Sequence, residues 1–212
     1  MAVGLGIRRW LVAVALVFGM SAQAWAQAPA SPTARVEALH EALITVMQGA
    51  DTMAYGARRD LLAPVIENGF DSAFMARVAA GSYWRGMTDD QRQALINQFR
   101  AFTIANYAAR FNGYSGQQFE TLNIAELPGG RVMVRTHLNR AKDDPVGLDY
   151  VLRPSDAGFQ IIDIFMNGTV SELATRRSEF APVLRDHGAA GLIESLAEKT
   201  AELEAGETGD DK

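Results

Sequence analysis

Few side chains in this sequence have the types and spacing that chemistry needs. Asp163 is a carboxylate inside the apolar run Phe159 to Met166. Burial there has two readings: desolvation raises its pKa and makes it a general base, or a partner such as Arg176 or Arg177 holds it and fixes strand to helix. The three histidines, His40, His137 and His187, fall beside a helical stripe, on the polar face of a strand and at a helix break. None has a second histidine four residues on, so each reads more readily as structural than as a metal ligand. Gly113-Tyr114-Ser115-Gly116 lacks the final spacing of a nucleophile elbow. Pro128-Gly129-Gly130 lacks the lysine and helix of a phosphate loop. Arg176-Arg177 suits either an anionic headgroup or plain solvent. Motifs alone support no catalysis, no metal and no cofactor.

Composition narrows the field in the same direction. The 212 residues suffice for one domain, or two small ones. Hydrophobic residues make up 48% and charged residues 21%, a globular balance. Cysteine is absent, which excludes disulfides, thiolate zinc sites, iron–sulfur clusters and a cysteine nucleophile. The formal charge of -5 argues against nucleic acid, which needs a dense Lys/Arg field.

Residues 1–26 read as a signal peptide. Arg8 and Arg9 precede the apolar run Trp10 to Met20, which is far shorter than the roughly 20 residues of a membrane span. Ala24 and Ala26 form an A-x-A site, with a slightly earlier one at Ala22 and Ala24, predicting cleavage after Ala26 and export of the mature chain; an uncleaved anchor is the alternative reading. Loss of the two arginines leaves 18 basic against 25 acidic side chains, a net charge of about −7.

The elements follow from periodicity. Residues 27–34 form a flexible leader, 35–204 the folded domain and 205–212 a polar tail. Thr33 is expected to cap a helix carrying Val36, Leu39, Leu43, Ile44 and Met47, ended near Gly49. A second helix spans Asp60 to Glu67, with Pro64 kinking or breaking it, and Asp71 caps a short third. Thr88-Asp89-Asp90-Gln91 is a capping box opening the longest helix, Asp89 to Asn112. Its two apolar stripes, Leu95/Phe99/Phe102 and Ile104/Tyr107/Phe111, predict burial over a wide arc. Such an arc faces either plain core or a cavity.

From Gln117 the period is two. Candidate strands are Phe119 to Ile124, Arg131 to Leu138, Val146 to Arg153 and Phe159 to Met166, joined by short turns as an antiparallel meander. Strand parity places Val132, Val134 and Leu138 on one face, with Val146, Leu148, Tyr150 and Leu152 matching. The last strand is apolar on both faces, Phe159/Ile161/Phe165 against Ile162/Ile164/Met166. Ser171 caps a helix to about Asp186, His187-Gly188 punctuates, and a final helix follows. Helices, then about four strands, then helices define an α+β fold.

These segments together resemble a known family. Gly81-Ser82-Tyr83-Trp84, Thr88-Asp89-Asp90-Gln91-Arg92, Phe99-Arg100-Ala101-Phe102 and Tyr107 resemble the G-x-Y-W, T-x-x-Q-R, F-x-x-F/L and Y series of the MlaC/toluene-tolerance family. Pro145 to Tyr150, Phe159 to Ile164, Gly168 to Ser171, Arg177 to Phe180 and Gly188 to Leu192 resemble its later motifs, over about residues 35 to 200. Thr169 is an extra residue in the family's G-V-S turn. Ser171 to Ala174 and Arg176 to Glu179 also look like the hopanoid-associated HpnM branch.

The resemblance implies helices around a twisted antiparallel sheet enclosing an apolar pocket. It implies a carrier that holds the acyl chains of a phospholipid, or a hopanoid, and leaves the headgroup in water. The implied partners are an inner-membrane ABC transporter complex and an outer-membrane lipoprotein complex, with no cofactor and no catalysis. Candidate lining residues are Tyr83, Trp84, Phe99, Phe102, Tyr107 and Phe111 from the helical part, and Val132, Val134, Leu148, Tyr150, Leu152, Ile162, Ile164 and Met166 from the strands. The physics of carriage agrees: each buried methylene is worth roughly 0.8 kcal/mol, so a lipid crosses water only inside an apolar lining. Two rival readings remain: an enzyme on the same scaffold with Asp163 as base toward an apolar substrate, and a non-catalytic interaction protein whose apolar face is only core.

Overall fold

The computed structural model describes residues 31–156 and 158–210. The signal segment and the first half of the leader, residues 27–30, lie outside the described residues; the rest of the leader is the cap and first turn of a helix. Five α-helices and a five-stranded sheet follow in the order α1 (Pro32–Gln48), α2 (Tyr55–Gly69), α3 (Ser72–Ala80), α4 (Asp89–Arg110), β1 (Gln118–Leu127), β2 (Arg131–Asn139), β3 (Val146–Ser155), β4 (Gly158–Met166), β5 (Val170–Ser171) and α5 (Glu172–Asp210).

Local chemistry sets most helix boundaries. Ser31, not Thr33, caps α1: its hydroxyl accepts from the Ala34 amide at 3.1 Å, and Pro32 takes a first-turn position where no amide is needed. Helix α2 begins at Tyr55, ahead of the expected Asp60, and runs through Pro64. Its early start is anchored by the buried Arg58, which donates to the Met53 carbonyl at 2.8 Å and to the Ala108 carbonyl of α4 at 3.3 Å. Thr88 and Gln91 close the capping box of α4 in both directions. Helix α5 turns at Gly188 (φ 68°, ψ −166°), a backbone region open to glycine. The expected two helices are therefore the two arms of α5, and helix continues to Asp210 where a polar tail is expected.

The sheet is an antiparallel meander, β1-β2-β3-β4-β5. The small fifth strand, beyond the expected four, pairs Val170 and Ser171 with Met166 and Phe165. Asn167 and Gly168 take positive φ in the preceding turn (49° and 69°), and the Thr169 amide bonds the Met166 carbonyl at 3.2 Å. The extra residue of that motif thus completes the turn.

Register puts Ile124, Val134, Tyr150 and Ile164 in one row across the sheet, with Leu148 beside Thr136 and Met166. Helices cover this face except at Ile124 of the edge strand β1, which is exposed; α4 packs against α2, α3 and α5 while α1 reaches β1, β2 and β4. In β4 the pairing slips: Val151 opposes Asp163 but Leu152 opposes Ile161, so Ile162 is an inserted residue. The bulge reverses the parity expected for the first half of β4. Ile161 joins the core with Ile164, and Ile162 is buried outside that cluster.

Helices and sheet are tied at two seams. Asp71 caps α3 through the Phe74 amide (2.9 Å) and pairs with Arg153 of β3, while the Asp71 amide donates to the Ile161 carbonyl at 2.9 Å. At the other seam Asp163 accepts from the Ile164 amide (2.8 Å), the Ser171 hydroxyl (2.7 Å) and the Leu173 amide (3.0 Å). The strand-to-helix role expected for Asp163 is therefore met by the first turn of α5 and not by Arg176 or Arg177. Aspartate suits the task because a helix start presents unpaired amides to an acceptor.

Candidate functional site

One half of the covered sheet face is not filled. A cavity of 260 Å³ lies there, between the β2–β3–β4 end of the sheet, the second half of α4 and the start of α5. Leu138, Val146, Leu148, Tyr150, Ile164 and Met166 form its sheet wall. Phe99, Tyr107 and Phe111 of α4, with Phe70 and Met75, form the facing wall. Tyr107 stacks on Phe111 with centroids 5.6 Å apart and meets the edge of Phe70 at 5.9 Å. The polar groups are Thr103, Asn106 and Arg110 from α4 and Glu172 and Arg176 from α5.

Seven of the fourteen candidate residues converge on this cavity: Phe99, Tyr107, Phe111, Leu148, Tyr150, Ile164 and Met166. The other seven lie elsewhere, for separate reasons. Tyr83 and Trp84 sit in a 3-10 turn, Gly81–Gly86, where Tyr83 is 41% exposed. Trp84 lies under the Arg92 guanidinium (5.8 Å), and Arg92 Nε donates to its carbonyl at 3.2 Å. That motif anchors the start of α4. Phe102 points to a different arc of α4, beneath Arg176 (4.9 Å), in a small cleft shared with Phe180, Leu192 and Leu196. Val132 and Leu152 are paired on the expected face at its filled end, and Val134 is fully buried at the border, in the row of Tyr150 and Ile164. Ile162 is turned away by its bulge.

Sequence reasoning missed Phe70, Met75, Leu173 and the polar groups other than Arg176, which it offered with Arg177 for an anionic headgroup or plain solvent. Leu138 and Val146 share the parity of the lining strands and were legible by register; the charged groups come together only in three dimensions.

The electrostatics divide the cavity into a neutral interior and a charged mouth. Burial holds the Tyr107 phenol well above its usual pKa, reinforced by Glu172 and opposed by Arg110 and Arg176. Burial raises Tyr150 as well, with a smaller contribution from Tyr107. The Tyr150 hydroxyl meets His40 Nε2 of α1, and His40 stacks on Phe119 at 3.9 Å. Desolvation lowers the His40 pKa from 6.5 to about 4, so the imidazole is neutral. Asp163 does not line the cavity, and both of its oxygens are engaged by donors.

Fold and cavity together define an α+β protein built around an apolar recess with a charged rim. The chain belongs to the MlaC family, whose model matches residues 37–198. It is also similar to a solved structure from Ralstonia solanacearum, described as a phospholipid-binding protein in complex with a phospholipid. That similarity has a TM-score of 0.71 at 26% identity and covers 82% of this chain and 99% of the other. Comparison with curated protein sequences gives no match.

Proposed function

We propose that this protein is a periplasmic lipid carrier. It takes the acyl chains of a phospholipid into the cavity, keeps the headgroup at the Arg110/Glu172/Arg176 rim, and performs no catalysis. It passes lipid between an outer-membrane lipoprotein complex and an inner-membrane ABC transporter complex. The observation that carries this reading is the cavity itself: apolar walls from both sheet and helices, with charge gathered at the mouth. Family membership and the phospholipid complex of the Ralstonia protein support it. The apolar wall suits carriage because it offers acyl chains what a bilayer offers, so loading and delivery are both feasible at roughly balanced free energy.

Residues 1–26 serve in this reading as a cleaved export signal. Intact mass of the periplasmic protein should begin at Gln27; retention of Met1 to Ala26 would count against export by cleavage. Native mass spectrometry of protein purified without detergent tests the cargo. A bound phospholipid is expected. A hopanoid in its place would move the protein to the hopanoid-associated branch, and lipid-free protein throughout would sink the carrier reading.

A further inference from the structure

Two cations, Arg110 and Arg176, line a largely apolar cavity. Arg110, exposed at the end of α4, makes no hydrogen bond or ion pair with the described residues. Arg176 is held in place by the Phe102 ring (4.9 Å) and gives one nitrogen to Glu179 at 2.8 Å. A guanidinium has five N–H donors, so most of its fork is left over. The Tyr107 hydroxyl, on the wall of the same cavity, has no hydrogen-bond partner among the described residues and is not sealed from solvent. A hydroxyl open to a cavity that two guanidinium groups also line can donate to an anionic acceptor held there. Glu172 on the same rim sets a limit of its own, because its charge opposes a headgroup carrying several negative charges.

We infer that Arg110, Arg176 and the Tyr107 hydroxyl form a collar that grips a phosphodiester at the cavity mouth. The carrier then discriminates by headgroup, retaining a phosphate-bearing amphiphile over a neutral one with the same chains. The inference rests on the carrier reading and adds the residues that decide its cargo. Guanidinium suits this task because its planar fork matches phosphate oxygens in pairs. Chain burial alone offers no such choice, since the apolar part of the two ligands is identical.

The test is a competition. Delipidated mature protein is incubated with mixed vesicles of phosphatidylglycerol and diacylglycerol with matched acyl chains, and the loaded species are counted by native mass spectrometry. The parent protein is expected to favour phosphatidylglycerol by roughly tenfold or more. Arg110→Glu should abolish that preference while diacylglycerol is still taken up, and Tyr107→Phe should weaken it a few-fold. Arg176→Gln should act like Arg110→Glu; if it fails to fold through loss of its packing on Phe102, the exposed Arg110 carries the test alone. An unchanged ratio in Arg110→Glu would overturn the collar. Uptake of neither lipid by the parent protein would overturn the carrier reading, and the collar with it. Inorganic phosphate in excess should leave the lipid ratio unaltered. Phosphate binding by lipid-free protein, lost in Arg110→Glu and unaccompanied by any lipid preference, would assign the collar to a free anion and overturn the headgroup role.

Discussion

The Tyr150 hydroxyl lies 3.1 Å from His40 Nε2, so a wall residue of the cavity is fixed to helix α1 by a contact buried inside the core. Burial keeps the imidazole neutral there. Folded His40 is lowered to about 4 from 6.5, and the unfolded chain therefore takes up this proton first on acidification. Its contribution is complete above about pH 6.5, declines through the window down to about 4, and is then exhausted. The full loss is on the order of 3 kcal/mol. Thermal melts at pH 7.5 and 4.5 should show a larger drop for the parent chain than for His40→Gln. Equal drops would place the acid sensitivity elsewhere.

Asp163→Asn should destabilise the fold by about 1–3 kcal/mol, because the charge that strengthens the three accepted hydrogen bonds is lost and the Ser171 hydroxyl must turn from donating to accepting. Urea denaturation measures this directly. Ser171→Ala in the same background should add less than it does alone, since both changes remove the Asp163–Ser171 bond. Catalysis that vanished with unchanged stability would instead revive Asp163 as a base.

Leu148→Trp distinguishes cavity from core. Leu148 lines the open part of the sheet face. Overfilling packed core costs about 1–3 kcal/mol, whereas added bulk in an empty recess has room. The expected result is loss of co-purifying lipid with the melting temperature kept or raised. Lipid retained and stability lost would show that Leu148 has no free space before it.

Gly188→Ala tests the turn between the arms of α5. A Cβ at this position meets nothing within 4 Å, so the cost comes from the backbone alone. At φ 68° and ψ −166° that cost is about 1–3 kcal/mol. A melting temperature within error of the parent would mean that the arms re-form as one straight helix, which circular dichroism would register as added helicity.

How far the sequence reaches is decided by the range of the interaction that fixes each feature. The capping box of α4 and the turn at Asn167-Gly168 are local, so a few neighbouring residue types reveal them. The meander is legible because each hairpin carries its own turn signal. The early start of α2 is not, since Arg58 finds its partner fifty positions away in α4. The site was half legible for the same reason. Parity put Leu148 with Tyr150, but the doubly apolar β4 gave no sign that Ile164 and Met166 would join them; helical spacing supplied Phe99, Tyr107 and Phe111. Nothing in either pattern distinguishes the filled end of the face, at Val132 and Leu152, from the hollow end. Aromatic residues in a motif, such as Tyr83 and Trp84, gave no hint that they serve a helix start.

The inserted Ile162 makes the cavity depend on arithmetic more than on hydrophobicity. Along β4 both faces are apolar, so a strand shifted by one position would still bury oily side chains and would meet little resistance from solvent. The phase of the strand is set by the count of residues on either side of the bulge. Removal of Ile162 itself would leave a regular ladder with Ile161 and Ile164 still on the core face, whereas removal of Gln160 with the bulge kept would turn Phe159 to the opposite face. Tolerance to length change along this strand should therefore depend on whether the residue lost is the inserted one, while conservative swaps of one aliphatic residue for another pass almost unnoticed.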